Sequence, residues 1–327
     1  MELYGTLGPA CGKADLLEQM LEAGMTGIRL NLSHATLRES LPLLEQLHLA
    51  ARRRGVRPEL LIDLQGPELR TGTEGLPLSL REGELLPLKR LALPEMLEAA
   101  LEPEMELLLD DGKLCVRVLP EGRGRVLRGG ILKPRKSVAV SGLSLALPVL
   151  TEEDRAHLAQ AEAYGVTGVM QSFVRSREDV ETVKAALRGT GLRLFAKLEN
   201  QEGLRTLPEW IHLPDMLVIA RGDLGNAVPL WELPAVQKRV SGLARKAGKP
   251  FLVVTQLLAS MEQAAVPTRA EVSDIFNAVA DGAAALMLTG ETAAGRYPVE
   301  AMKMLCRTAH SAEQFLRERE ETEDGLY

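Results

Sequence analysis

The sequence predicts an α/β protein: a (β/α)8 TIM barrel with a small β lid domain inserted after its third strand. Three observations predict it. Short apolar runs alternate with amphipathic stretches, the mark of parallel βα units, and eight such runs are present. None of them is followed by a G-x-G-x-x-G turn, which ranks a closed barrel above an open doubly wound sheet. The alternation fails once, between Thr71 and about Gly142, over a stretch too long for a loop in a compact domain.

The strands are expected at residues 2–7, 27–33, 59–64, 167–174, 192–198, 215–221, 250–256 and 284–289. "ADLLEQMLEAG" follows the first and "LRESLPLLEQLHLAARRRG" the second; both are amphipathic and end in glycine, as helix C-termini often do. Then "ELLLDDGKLCVRV" and "RGRVLRGGILK" read as short alternating strands among many Gly and Pro. The helical rhythm resumes at Thr151, a candidate N-cap with Asp154 three residues on, an imperfect capping box. Helices are expected in "SREDVETVKAALRGTG", "EGLRTLPEWI", "LPAVQKRVSGLARKAG", "TRAEVSDIFNAVADG" and "PVEAMKMLCRTAHSAEQFLRE". Thr268 and Glu271 make a full capping box for the fourth of these. The expected division is barrel over 1–70 and 143–318, lid over 71–142, and a charged, frayed tail over 319–327.

With 327 residues and 46% hydrophobic side chains, a large core is available, and at 3% aromatic it must be built from Leu, Val, Ala and Met. A net charge of −6 argues against nucleic acid as a partner, which wants a basic face. Cys11, Cys115 and Cys306 are odd in number and far apart, giving neither zinc spacing nor a disulfide framework. That fits a reducing, cytoplasmic setting. The N-terminus lacks the basic start and apolar stretch of a signal peptide, and no apolar run is long enough to span a membrane.

Barrel enzymes work at the C-terminal ends of their strands, and the polar residues fall there. The second strand offers Arg29, Asn31 and Ser33 at spacing two, all on one face. The third offers Asp63, with Glu68 and Arg70 just beyond. "LFAKLENQEG" ends the fifth strand with Lys197 and Glu199 on one face. The sixth ends in Arg221 and Asp223, the seventh in Thr255, the eighth in Thr289. Any one of these is most simply a solvated loop residue; their convergence on one rim marks a site for an anion plus a metal. Glu199 and Asp223 are hard oxygen donors that suit Mg2+ or Mn2+. Arg29, Arg70 and Lys197 can neutralise a phosphoryl group in flight. Asn31, Ser33 and Asp63 form an oxygen cluster with a single charge, which suits a monovalent cation. The backbone N–H groups of "RGDLG" and "TGET" are candidates for a carboxylate or phosphate.

"TLGPA", "IRLNLSH", "IDLQGPELRTG", "LLDDG", "SFVRS", "AKLENQEG", "ARGDLG", "TQLLASM", "PTRAEVSD", "NAVADG" and "LTGETAAGRYPVEA" occur in this order. Together they resemble the segments of the pyruvate kinase family, from about residue 5 to about 310. The resemblance implies a barrel with a lid after strand three and conversion of phosphoenolpyruvate and ADP to pyruvate and ATP, dependent on Mg2+ (or Mn2+) and K+. It implies Lys197 at the transferring phosphoryl group, with Arg29 and Arg70 facing the phosphates. Glu199 and Asp223 become the divalent-metal ligands. Asn31, Ser33, Asp63 and the carbonyl of Leu64 become the potassium ligands. Gly222, Asp223, Thr255 and Thr289 fall to the oxo-acid substrate, Thr255 also helping to protonate the enolate. Pro9, His34, Arg70 and Lys136, with Arg135 beside it, fall near the nucleotide. Glu68 occupies a position at which this family's acidic members need K+, whereas a Lys there supplies the charge itself.

The sequence departs from the family pattern at Ala35, Ala227, Ala259 and Thr289, and none of these removes a metal or phosphoryl ligand. The lid is shorter than usual. No counterpart of the family's C-terminal effector domain follows the last barrel helix, so regulation by sugar phosphates is not expected, and a homodimer through barrel faces is. Two other readings compete: a metal-dependent barrel lyase acting on another oxo-acid, and a non-catalytic paralogue that binds phosphoenolpyruvate or nucleotide.

Overall fold

The computed structural model describes residues 1–33, 35–110, 112–140, 143 and 147–324. Eight strands form the barrel: β1 (Glu2–Thr6), β2 (Gly27–Asn31), β3 (Glu59–Asp63), β4 (Gly168–Gln171), β5 (Arg193–Leu198), β6 (Met216–Ala220), β7 (Phe251–Val254) and β8 (Ala285–Met287). Each pairs in parallel with its neighbours in the chain, and β8 closes onto β1. This is the closed barrel expected, and it excludes the open sheet. Most strands end earlier than the apolar runs suggest. At β4 and β7 the chain leaves extended conformation through Phe173, Thr255 and Gln256, which have φ of +55°, +81° and +55°.

Alternation along the strands sorts their side chains. One set, including Tyr4, Leu61, Met170, Phe195, Val218 and Leu252, fills the barrel interior. The Tyr4 and Phe195 rings meet edge-on there, with centroids 6.3 Å apart. Gly27 and Gly168 leave them room: a Cβ on Gly27 would lie 2.4 Å from Tyr4, and one on Gly168 2.7 Å from Leu61. The other set, including Ile28, Ile62, Val169, Ala196 and Ile219, packs against the helices.

The main helices are Ala14–Ala23, Leu41–Arg54, Glu152–Gln160, Arg177–Ala186, Gln201–Trp210, Leu233–Lys246, Arg269–Ala280 and Pro298–Asp324. Both capping boxes form. Asp154 serves despite its short side chain, accepting from Thr151 N–H at 3.0 Å and also from Gln65 and Gly66 at 3.1 and 3.2 Å. It therefore anchors the chain leaving β3 as well as the helix it caps. One expectation needs correction. "RGDLGNA" forms a short helix, Arg221–Ala227, directly after β6. Residues 319–324 continue the last helix, and 325–327 lie outside the described residues. Among the described residues no helix is long and apolar enough to cross a membrane.

The chain divides into two units: Met1–Gly66 with Val149–Tyr327, and Pro67–Pro148. The second unit is wider than the 71–142 expected. Its first residues are tied in by backbone hydrogen bonds from Thr71 to the Lys136 carbonyl (2.8 Å) and from Val138 to the Leu69 carbonyl (2.8 Å). Leu143, past the expected end, packs on its core. The unit holds an antiparallel five-stranded sheet in the order 138–140, 106–109, 114–119, 123–128, 85–87, and a two-stranded ribbon of 78–80 with 130–132. Leu86, Leu91, Leu107, Leu109, Val116 and Val126 are buried within it.

Candidate active site

The C-terminal mouth of the barrel gathers charge because two interior-facing registers end there in charged residues. Glu59, Leu61 and Asp63 share one face of β3, and Arg193, Phe195 and Lys197 share one face of β5. Asp63 is the centre of the cluster. Arg29 contacts its Oδ2 through Nη2 (2.6 Å) and Nε (2.8 Å). Lys197 Nζ lies 2.9 Å from Asp63 Oδ1 and 3.1 Å from Glu199 Oε1. Ser172 donates its hydroxyl to Asp63 Oδ1 (3.2 Å) and to the Leu64 carbonyl (2.6 Å). The other oxygen of Glu199 accepts from Phe173 N–H at 2.8 Å, and Arg29 reaches Thr6 Oγ1 at 3.4 Å.

Two cations and two carboxylates thus balance in a place with little access to water: the Lys197 and Asp63 side chains are 11% and 2% exposed. Burial alone would disfavour every one of these charges. For Asp63 burial opposes ionisation, yet the Lys197 and Arg29 charges outweigh it and hold the carboxyl below its ordinary range. Burial likewise opposes the charge on Lys197, and Asp63 and Glu199 overcome it, pushing the ammonium up. Its neighbours thus favour the charged ammonium.

A second cluster lies at the ends of β6, β7 and β8. Thr255 sits beside Gly222, where a Cβ would come within 3.3 Å of the Thr255 methyl. Arg221 donates twice to the Thr255 carbonyl (2.8 and 3.2 Å) and pairs with Asp274 at 2.7 Å. Glu291, 1% exposed, accepts from Thr289 N–H (2.8 Å) and Leu258 N–H (3.1 Å), tying the β8 loop to the β7 loop. Asp223 is half-buried in the first turn of Arg221–Ala227. Sequence reading gave no role to Ser172, Glu291 or Asp274. Ser172 was detectable as a hydroxyl two residues beyond Met170, just past the end of β4.

The potassium candidates sit on adjacent strands: Asn31 is the register partner of Asp63, and its Oδ1 accepts from Ser33 N–H at 3.1 Å. With the Leu64 carbonyl they offer only oxygen donors and one full charge, a set that fits a monovalent cation. Glu199 and Asp223 offer carboxylate oxygens, a set that fits a hard divalent cation with substrate oxygens completing its shell. Pro9 is exposed in the loop after β1. His34 lies outside the described residues. Glu68, Arg70, Arg135 and Lys136 belong to the second unit. There Arg70 pairs with Glu68 Oε2 (2.6 Å) and donates to the Arg135 carbonyl (2.8 Å), while Lys136 pairs with Asp110 (2.7 Å).

A family model described as pyruvate kinase, barrel domain, matches residues 1–302. The chain belongs to the pyruvate kinase family. It is 41% identical to the pyruvate kinase of Methylorubrum extorquens, over 96% of this chain and 68% of that protein. It is 38% identical to that of Geobacillus stearothermophilus, over 96% of this chain and 57% of the relative. The pyruvate kinase of Aeropyrum pernix is 39% identical, over 95% of this chain and 70% of its own length. The chain thus spans between about half and about two thirds of the relatives it matches, and the match takes in every barrel strand.

Proposed function

We propose that this chain acts as a pyruvate kinase, moving the phosphoryl group of phosphoenolpyruvate to ADP. The observation that carries the reading is Lys197, an ammonium held between Asp63 and Glu199 at the C-terminal mouth of the barrel. A phosphoryl group arriving there meets a cation already fixed in place, and such preorganised charge is what phosphoryl transfer chiefly needs. Arg29, anchored on Asp63, adds a second positive charge on the same side.

The terminal oxygen of ADP attacks phosphorus, and the electron pair of the broken P–O bond stays on the oxygen of the enolate. Carbon 3 of that enolate then takes a proton from solvent, the double-bond pair forming the new C–H bond as the oxygen becomes a carbonyl. Thr255, at the end of β7, holds the water that delivers it. Gly222 and Thr289 bind the oxo-acid, and Pro9 and His34 the nucleotide. Glu199 and Asp223 would hold Mg2+ or Mn2+, and Asn31, Ser33, Asp63 and Leu64 would hold K+; these ions supply positive charge to the phosphoryl and enolate oxygens. Glu68 is acidic, which supports a need for K+ even though it pairs with Arg70. The three thiols, all free and buried, suit a cytoplasmic protein. A homodimer through barrel faces completes the reading, to be checked by light scattering.

A coupled assay with phosphoenolpyruvate, ADP, Mg2+ and K+ tests it. The expected result is ATP and pyruvate in equal amounts, with activity falling strongly when K+ is replaced by a bulky organic cation and the dependence weakened in Glu68→Lys. No reaction with phosphoenolpyruvate, but release of pyruvate from a larger 2-oxo acid, would favour lyase chemistry, and ligand binding without turnover would favour a sensor.

A further inference from the structure

Thr255 is a β-branched residue with φ of +81°, a region such side chains rarely occupy. A backbone like this persists only where its surroundings over-determine it. Here one side chain does most of the fixing. Arg221 directs Nη2 and Nε onto the Thr255 carbonyl at 2.8 and 3.2 Å. The guanidinium is in turn held by Asp274, with Nη1 2.7 Å from Oδ2 and 2.9 Å from Oδ1, and by Gln237 Oε1 at 3.4 Å. Arg221 is 11% exposed, so little water competes for these bonds. Its fork links the end of β6, the loop after β7 and the helices Leu233–Lys246 and Arg269–Ala280.

We propose that Arg221 and Asp274 form a positioning clamp that holds Thr255 in this conformation and so aims its hydroxyl at the enolate. The function of the clamp rests on the pyruvate kinase reading above. Two donors on one carbonyl require a planar fork, which Lys cannot supply. Gly222 completes the arrangement, since a Cβ there would press to 3.3 Å on the Thr255 methyl. Phosphoryl transfer draws on a different cluster, Lys197 with Asp63, Glu199 and Arg29. The clamp therefore governs protonation of carbon 3 more than transfer of phosphorus. Arg221 and Asp274 are positioning residues and act through Thr255.

Arg221→Lys and Asp274→Asn test this by two routes. The first is kinetic: deuterium uptake into the pyruvate methyl group from heavy water, with ATP, Mg2+ and K+ present, against ATP formation in a single turnover. Arg221→Lys is expected to slow methyl exchange by on the order of tenfold or more, with a smaller effect on ATP formation and a weaker loss in Asp274→Asn. Added to Thr255→Ala, it is expected to change exchange by less than about twofold, because acting through one residue is not additive. Losses that multiply, or equal slowing of both steps, overturn the proposal. The second route needs no turnover: amide hydrogen exchange of residues 255–258 in the free protein. Faster exchange confined to that segment in Arg221→Lys supports the clamp. Unchanged exchange, a uniform rise across the barrel, or failure of both variants to fold shows a general staple instead. A parent enzyme that makes no ATP defeats the pyruvate kinase reading, while the exchange experiment still decides whether the clamp exists.

Discussion

The barrel has an ionic cluster at each mouth, and the two are built from the same strands. At the N-terminal mouth Arg193, the first residue of β5, pairs with Glu59 (2.7 Å) and Glu2 (3.2 Å) and stacks over Phe195 at 4.9 Å. Tyr4 donates to Glu2 at 2.5 Å and also contacts Glu59. At the C-terminal mouth Lys197, four residues along β5, faces Asp63, four residues along β3 from Glu59. Phe195, Leu61 and Tyr4 form the apolar layer between them. Charge at a strand end is therefore not by itself a sign of function. What differs is the surroundings. At the N-terminal mouth the charges face one another and Tyr4, with regular strands entering. At the C-terminal mouth the chain leaves β4 and β7 through strained residues, and loops from several strands converge. The lower cluster closes the barrel's N-terminal mouth; the upper one is where the proposed reaction would take place.

The largest effect that would sharpen this contrast is on turnover. Lys197→Met is expected to lower kcat by at least 10²- to 10³-fold, with phosphoenolpyruvate and metal binding largely retained; steady-state rates and equilibrium titration check this. Near-normal turnover would break the comparison. Asp63→Asn leaves Arg29 and Lys197 buried without their shared carboxylate, and should destabilise the barrel by about 3–5 kcal/mol in urea unfolding while abolishing activity. Arg193→Met, at the other mouth, is expected to cost about 1–3 kcal/mol and to leave kcat within about twofold of the parent. A loss of turnover comparable to that of Lys197→Met would remove the distinction between the two ends.

The smallest effects are in pH. Asp63 has a depressed carboxyl, so its contribution is present above the ordinary value of about 3.9 and is lost as pH falls through the folded value. Tyr4 is shifted the other way: burial, then the hydrogen bonds to Glu2 and Glu59, push its phenol up. Its contribution is present below about 10 and is lost as pH rises beyond that. Urea midpoints followed across pH should show an acid limb and an alkaline limb, the alkaline one flattened in Tyr4→Phe. An alkaline limb unchanged in that variant would detach it from the lower cluster.

The sequence by itself determined the barrel, the insert and the strand-end charges Arg29, Asp63, Lys197 and Glu199 that the upper mouth gathers, for a physical reason. Alternation of period two is local, so Lys197 and Glu199 had to share a face, as did Arg29 and Asn31. Helix boundaries were legible at Thr151 and Thr268 because capping boxes are made within four residues. Which groups touch was not legible, because contacts between strands depend on register across distant segments. Nothing local pairs Lys197 with Asp63, 134 residues away, or brings Ser172 to the Leu64 carbonyl, 108 residues away. The short helix at Arg221 was missed because "RGDLG" carries two glycines and an apolar lead-in that reads as continuing strand. The conformation of Thr255 was invisible for the same kind of reason. A β-branched residue in an apolar run argues for extended backbone, and only the tertiary structure brings the guanidinium of Arg221, from the end of the neighbouring β6, onto the Thr255 carbonyl.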